Sequence, residues 1–211
     1  MKKDVNFLPT HVSQKIIAVG LNYKDHAKEL NMPIPENPII FLKPSTSLIG
    51  HNEPIIYPKM SKQVDYEAEL AIVIKQKAHK VSVENASDYI LGYTCANDVT
   101  ARDLQKIDGQ WTRSKSFDTF CPIGPHIETE LNTDNLSIQS FLNGELKQNS
   151  NTSNLIFKPN YLIHFISCIM TLYPGDIILT GTPAGIGPMQ VGDEVEVRIE
   201  GVGSLRNGVN H

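Results

Sequence analysis

One run of residues joins strand-forming apolar side chains to a pair of acids: Val64-Asp65-Tyr66-Glu67-Ala68-Glu69-Leu70-Ala71-Ile72-Val73-Ile74. Side chains alternate between the two faces of a strand, so Glu67 and Glu69 project from one face about 7 Å apart. The neighbouring even-numbered residues, which are mostly apolar, take the other face. Because Ala71 and Val73 continue the acidic face, we expect it to be buried and to need a compensating cation. A divalent metal would supply that charge; the alternative is a solvated strand end.

Similar short apolar runs bounded by Gly, Pro, Asn or Asp predict strands over 15–20, 38–42, 69–74, 89–94, 176–180 and 193–200. Helical patterns are confined to 23–30, 100–105 and 161–171, and the last places Leu162, Phe165, Ile166, Ile169 and Met170 on one face. Such few helices cannot connect every pair of strands. The predicted fold class is therefore α+β, mostly β, built as a largely antiparallel sandwich, roll or barrel rather than a doubly wound parallel sheet.

Composition is that of an ordinary globular protein. The 211 residues are 40% hydrophobic and 20% charged, with a net charge of -4. A chain of this length can bury about 70% of its unfolded surface. Prolines and glycines are scattered rather than gathered into a linker, so we expect a single domain over 1–211. Nucleic acid is not an expected partner, because no basic excess exists to hold phosphates.

Neither a leader-like apolar run nor a long apolar segment occurs, so we expect a soluble, cytoplasmic protein with no membrane partner. The three cysteines, Cys95, Cys121 and Cys168, lie far apart and show no C-x-x-C spacing. Neither a disulfide framework nor a thiolate zinc site is indicated. The histidines other than His26, among them His11, show no ligand spacing.

A further acid follows the apolar run that ends in Asn97-Asp98. Thr100 is a candidate N-cap for a helix, with Asp103 three residues later. Asp98 would then lie at a strand end, where an acid often only forms a turn. Together with Glu67 and Glu69, however, it makes an all-oxygen set of three carboxylates. Such a set suits Mg²⁺ or Mn²⁺, whereas zinc prefers nitrogen or sulfur ligands.

His26 and Glu29 are three residues apart in a short helical segment, so their side chains meet on one face. The carboxylate can then orient the imidazole as a base. The alternative is an exposed polar helix with an accidental ion pair.

Two later segments, 109–118 with its cations and aromatics and 180–188 with its glycines, could contact an anion or be ordinary loops. Neither carries a nucleotide-binding fingerprint.

Together these segments resemble the fumarylacetoacetate hydrolase family, in particular its short, single-domain members that act on acylpyruvates and related 2-oxo acids. The resemblance extends over about 16–207. It is carried by Asn22-Tyr23-x-x-His26-x-x-Glu29, Phe41-Leu42-Lys43-Pro44, Asp65-Tyr66-Glu67-Ala68-Glu69-Leu70, Asn97-Asp98-Val99-Thr100-Ala101-Arg102-Asp103, Trp111-Thr112-Arg113-Ser114-Lys115-Ser116-Phe117-Asp118, Asn143-Gly144-Glu145 and Pro174-Gly175-Asp176-Ile177-Ile178-Leu179-Thr180-Gly181-Thr182-Pro183.

The resemblance implies a mixed β-sandwich roll that holds one Mg²⁺ or Mn²⁺ through Glu67, Glu69 and Asp98. It also implies a water-activating dyad of His26 and Glu29 on a lid, Lys115 beside the metal, and Gln105 and Thr182 against the substrate. A homodimer is expected on the same grounds. Leu21 stands where some relatives carry an arginine, so one substrate-anchoring cation is expected to be missing.

These residues predict hydrolytic carbon–carbon cleavage of an acylpyruvate, with pyruvate released. Oxaloacetate decarboxylation and 2-hydroxyhepta-2,4-diene-1,7-dioate isomerisation or tautomerisation are alternatives, because the same enolate serves all of them. An alternative of another class is a non-catalytic, metal-bound β-roll that captures a dicarboxylate. That protein would need the acids but not the pair of His26 and Glu29.

Overall fold

The computed structural model describes residues 3–4 and 15–211, so that His11 lies outside the described part. Within it lie sixteen strands and four α-helices. The strands are β1 Lys3–Asp4, β2 Ile16–Gly20, β3 Ile39–Lys43, β4 Leu48–Ile49, β5 Ile55–Ile56, β6 Val64–Tyr66, β7 Ala68–Ile74, β8 Ile90–Asn97, β9 Thr100–Ala101, β10 Cys121–Glu128, β11 Ser137–Leu142, β12 Glu145–Asn151, β13 Ile177–Leu179, β14 Gly187–Met189, β15 Glu194–Ile199 and β16 Gly203–Asn210. The α-helices are α1 Lys24–Glu29, α2 Arg102–Asp108, α3 Thr112–Lys115 and α4 Pro159–Ile169.

The described strands form three sheets. The largest has eight strands in the order β1-β10-β8-β7-β13-β2-β3, with β4 paired to β10. The second has the order β12-β11-β15-β16-β5, and a small third sheet has the order β14-β6-β9. Most pairs are antiparallel, whereas β2–β13, β4–β10 and β5–β16 are parallel. The prediction of a mostly β, mixed fold with few short helices is therefore confirmed.

The main core lies between the two larger sheets. Leu70 and Ile72 of β7 pack there with residues of β11, β15 and β16 such as Ile138 and Val197. Helix α4 adds Leu162, Ile163 and Ile166 to the same cluster. Burial of these apolar side chains is the main favourable contribution to folding, at about 25 cal/mol per Å² of apolar surface removed from water.

The acidic run crosses from one sheet to another at Glu67. β6 before it pairs in the small sheet, and β7 after it pairs in the large sheet. The alternation holds along β7, because Ala68, Leu70 and Ile72 face the main core while Ala71 faces a second cluster on the opposite side. Tyr66 differs from the prediction and packs in a third cluster, because the chain changes sheets between β6 and β7.

The predicted strands are all present, with shifts of a few residues at their ends. Several strands carry no clear sequence signal. β10 contains two prolines, β12 is almost wholly polar, and β16 contains two glycines. Pairing with other strands outweighs their weak intrinsic preference: β12 forms a hairpin with β11, β16 pairs with β15 and with the distant β5, and β10 pairs with β8.

Two details of the helix predictions were wrong. Thr100 is not an N-cap; it lies in β9, and its hydroxyl is 3.1 Å from Glu67 Oε1 and 2.8 Å from the Asp98 carbonyl. In α4 the buried face contains Ile163, whereas Ile169 is 55% exposed. The buried face runs through Leu162, Ile163, Ile166 and Ser167, so it is rotated relative to the predicted face and leaves Ile169 at its edge. The short helix α3 was not predicted.

Cys95 and Cys121 are buried and Cys168 is exposed. In the described part of the chain, every helix is too short or too polar to traverse a bilayer.

Replacing Ile163 with alanine should lower the free energy of unfolding by about 2–5 kcal/mol, because its side chain is fully buried. The matched change Ile169→Ala should cost about 0.5 kcal/mol or less, since that side chain is largely exposed. Urea denaturation of both variants measures the difference. Equal losses would contradict the observed orientation of α4.

Candidate active site

Three acids from two adjacent strands converge at the junction of the sheets. Glu67 lies between β6 and β7, Glu69 lies in β7, and Asp98 follows β8 directly. The pairing of Ala68 with Asn97 and a backbone hydrogen bond of 2.9 Å from the Asp98 amide to the Glu67 carbonyl bring them together. One carboxylate oxygen from each acid lies within 4.8 Å of the others, and all three residues are buried. The predicted convergence of these acids is therefore present.

Three cations surround this cluster of Glu67, Glu69 and Asp98, which we call the acid cluster. Lys115 Nζ bridges Glu67 Oε2 at 2.8 Å and Asp98 Oδ2 at 2.6 Å. Lys43, whose side chain is fully buried, binds the other Asp98 oxygen. Arg102 binds Glu67 and, at 2.8 Å, Asp65. Buried charges are tolerated because they are paired in this way.

The pairing determines how each acid ionises. Burial alone would raise the pKa of Glu67, but the positive charges of Lys115 and Arg102 outweigh it and lower that pKa to about 2. Burial, together with the negative charges of Asp98 and Glu67, raises the pKa of Glu69 well above its usual range. The pKa of Lys115 is raised, because Asp98 and Glu67 outweigh the effect of its burial. Glu69 is thus the acid whose charge is least compensated.

The surroundings of Glu69 fit a divalent cation. In the described part of the chain its hydrogen-bond partner is the Gly181 amide at 2.6 Å, and no cation pairs with it. Gly181 has φ +96°, and a Cβ there would lie 2.7 Å from Asn22 Cβ, so only glycine brings this amide to the carboxylate. The acid cluster is an all-oxygen donor set in which Glu69 has no cation partner among the described residues, so it could hold a hard divalent ion such as Mg²⁺ or Mn²⁺.

His26 and Glu29 form the pair expected from their spacing. Both lie in α1, and His26 Nδ1 is 2.8 Å from Glu29 Oε2. His26 is buried, and the other Glu29 oxygen accepts a hydrogen bond of 2.9 Å from the Gly185 amide. The glycine-rich turn predicted to contact an anion therefore binds the protein's own carboxylates, through Gly181 and Gly185.

A cavity of about 260 Å³ joins these groups. The buried acid cluster and the two lining cations that bind it, Arg102 and Lys115, form the inner end of the cavity, which we call the floor; His26 also lines the cavity. Gln105, Lys106 and Thr182 add polar groups. The remaining wall is mostly apolar and consists of Val19, Leu21, Leu30, Met32, Ile39, Phe41 and Trp111. Of the eight residues predicted for the site, seven line this cavity, and Glu29 reaches it through His26.

Gln105 and Thr182 are oriented by neighbours. Gln105 Oε1 accepts a hydrogen bond of 2.6 Å from Arg102 Nη1, which leaves its amide nitrogen as a donor. Thr182 Oγ1 accepts one of 2.8 Å from the Gln148 amide, so its own hydroxyl hydrogen is available to donate.

Trp111 is fixed by close packing. Its ring meets Phe41 edge-on with centroids 5.1 Å apart. A Cβ built on Gly20 would lie 2.4 Å from the indole, so glycine is required at that position.

Sequence reasoning assigned no role to Lys43, Arg102 or Trp111, although all three lie in quoted segments. Buried acids require counter-charges, and this rule could have pointed to Lys43 and Arg102. No local signal in the sequence marks Trp111 as a wall of the cavity.

A family model described as fumarylacetoacetate hydrolase C-terminal matches residues 15–210. The chain belongs to the fumarylacetoacetate hydrolase family. The chain is 45% identical to the mitochondrial oxaloacetate tautomerase Fahd2a of Rattus norvegicus, over 99% of this chain and 70% of the rat protein.

Two solved structures are also similar. The 2-hydroxyhepta-2,4-diene-1,7-dioate isomerase of Mycobacterium marinum is 48% identical, with a TM-score of 0.88 over 94% of this chain and 75% of that one. The fumarylpyruvate hydrolase of Pseudomonas aeruginosa, solved with Mn²⁺ and pyruvate, is 28% identical, with a TM-score of 0.90 over 100% of this chain and 95% of that one. These names favour the predicted alternative, a tautomerase or isomerase, over the predicted hydrolase.

Replacing Lys43 with methionine should lower the free energy of unfolding of the metal-free protein by about 3–5 kcal/mol, because one oxygen of buried Asp98 loses its cation. Lys77→Met, at an exposed position, is the control and should change stability little. Urea denaturation in the presence of a chelator measures both. A Lys43 variant as stable as the control would show that the buried pair contributes no net stability.

Proposed function

We propose that the protein is a divalent-metal-dependent tautomerase or isomerase of 2-oxo acids that carry a second carboxylate. One observation carries the proposal: the acid cluster and His26, which is paired with Glu29, line the same cavity. A metal-ligating set and a proton-transferring base are the two groups that interconversion of an enol and a ketone requires. The names of the relatives at 45% and 48% identity support the same chemistry.

Glu67, Glu69 and Asp98 would hold the ion, which when bound supplies a Lewis acid that draws electrons from the oxygens of the substrate.

His26 would move the proton. Glu29 accepts a hydrogen bond from Nδ1 and thereby keeps that nitrogen protonated, which leaves Nε2 free to take and return a proton. Tautomerisation then removes the proton from the enol oxygen and places one on the carbon next to the new carbonyl group, with no net change in composition. Burial of His26 keeps competing water away from this transfer.

The other polar residues of the cavity would hold the substrate. Lys115 contributes a fixed positive charge on the floor, where it would stabilise negative charge that develops on the enolate. Gln105 and Thr182 would donate hydrogen bonds from the groups that their protein partners leave available.

The homodimer and the cytoplasmic location expected from sequence remain predictions.

Hydrolysis of an acylpyruvate is the second candidate function. The observation in its favour is the match to a fumarylpyruvate hydrolase over 95% of that chain. In that reaction His26 would deprotonate a water that attacks the distal carbonyl, and the bond to the pyruvate unit would break. Oxaloacetate decarboxylation would release the same enolate. A non-catalytic dicarboxylate-binding protein would have no need of the pair formed by His26 and Glu29.

Replacing His26 with asparagine should slow the conversion of enol to keto oxaloacetate by about 10²–10⁴-fold, because a general base of this kind contributes that much. The loss of enol absorbance in the ultraviolet measures the rate. Pyruvate released from oxaloacetate reports decarboxylation, and pyruvate released from fumarylpyruvate reports hydrolysis, so both are separated from tautomerisation. His164→Asn, on α4 and outside the cavity, is the control. Full activity of the His26 variant would remove this residue from the mechanism.

Replacing Glu69 with glutamine should weaken Mg²⁺ or Mn²⁺ binding by at least about tenfold, since one anionic oxygen donor is lost. Glu84→Gln, at an exposed position, should leave the affinity unchanged. Calorimetric titration of the metal into each variant gives the affinities. Identical affinities would show that the acid cluster is not the metal site.

A further inference from the structure

The cations that line the cavity differ in what they bind. Arg102 and Lys115, on the floor, are both engaged by buried carboxylates. Lys106 also lines the cavity, but its side chain is exposed. Within the described part of the chain it takes part in no ion pair or hydrogen bond. Its positive charge is therefore available to a ligand.

Helix α2 places Lys106 at a defined distance from the floor. Arg102 at the start of the helix is held by Asp65 and Glu67. Lys106 lies four residues later, on the same face of the helix and about 6 Å farther along its axis. Because Arg102 is anchored at the acid cluster, the helix runs from the floor towards the mouth of the cavity, where Lys106 is exposed.

The rest of the upper cavity offers no competing cation. Its wall contains Leu21, Leu30, Met32, Ile39 and Trp111, which are apolar. Among the described residues that line the cavity, Lys106 is thus the one cation not already bound by an acid. A carboxylate at the far end of a substrate bound at the floor would lose water against this apolar wall, and Lys106 is the group that could compensate.

We propose that Lys106 is a specificity-determining residue that binds the distal carboxylate of a 2-oxo dicarboxylate, so that the protein prefers dicarboxylates over monocarboxylates. This inference rests on the proposed function for the orientation of the substrate, with its 2-oxo acid end at the floor. The long, flexible lysine side chain can follow carboxylates at different distances. Substrates from oxaloacetate to the longer heptadiene dioate therefore belong to the class.

The contribution of the distal carboxylate to binding can be measured with a matched pair of ligands. 2-Oxoglutarate and 2-oxopentanoate have the same chain length and differ in that a methyl group replaces the distal carboxylate. Calorimetric titration into the Mg²⁺-loaded protein should show that 2-oxoglutarate binds about fivefold more tightly, the size of effect expected for one partly solvated charge pair. Added salt should reduce this preference, because it screens the pair.

Lys106→Met should abolish the preference by weakening 2-oxoglutarate alone, and Lys106→Arg should retain it. Lys24→Met, an exposed lysine of α1 that does not line the cavity, should leave it unchanged. With oxaloacetate as substrate, Lys106→Met should raise KM about fivefold and change kcat less than twofold.

Equal binding of the two ligands by the unaltered protein, binding of neither, or an undiminished preference in Lys106→Met would overturn the assignment. Failure of the proposed function is a separate result. It would appear as absence of tautomerisation in the unaltered protein, whereas the ligand preference and its loss in Lys106→Met are measured without turnover.

Discussion

The buried ammonium of Lys115, held between Glu67 and Asp98, is the interaction on which the site depends. It joins a loop between two sheets, the end of β8 and the short helix α3 at one point. Without it, two carboxylates would face each other in a water-poor interior, which is unfavourable unless they are protonated or bound to a cation. The pairing also leaves the charge of Glu69 uncompensated. The ion pairs that stabilise the buried Glu67 and Asp98 thus leave Glu69 as a site that attracts a further positive charge.

The proposed metal ligands and the proposed proton-transferring residue lie on different elements, yet one turn connects them. The amide of Gly181 holds Glu69 of the acid cluster, and the amide of Gly185 holds Glu29, the partner of His26. Backbone amides are well suited to this task because they bind a carboxylate without adding a side chain to the cavity. The turn therefore sets the position of His26 relative to the acid cluster, and both line the same cavity.

Part of this site could be predicted from local periodicities, whereas Lys115, Gln105 and Thr182 were assigned only through the resemblance to the family. The two-residue repeat of a strand placed Glu67 and Glu69 together, and helical spacing joined His26 to Glu29. Lys43 could not be placed, since its contact with Asp98 depends on the long-range pairing that brings β3 and β8 into one sheet. The buried face of α4 was misjudged at Ile169, because the packed face is rotated towards Ile163 and Ser167, and apolar spacing alone does not fix that rotation. Contacts that depend on strand pairing, or on which face of a helix packs, cannot be predicted from local sequence patterns.

The close approach of Gly20 to Trp111 has a consequence for how this cavity can change. Any side chain added at residue 20 would collide with the indole, so the two positions are coupled sterically. A smaller residue at 111 would widen the chamber and at the same time lift the restriction on residue 20. A paired substitution that reshapes the cavity must therefore replace the tryptophan before the glycine. In the reverse order, the intermediate protein carries a side chain at residue 20 that collides with the indole.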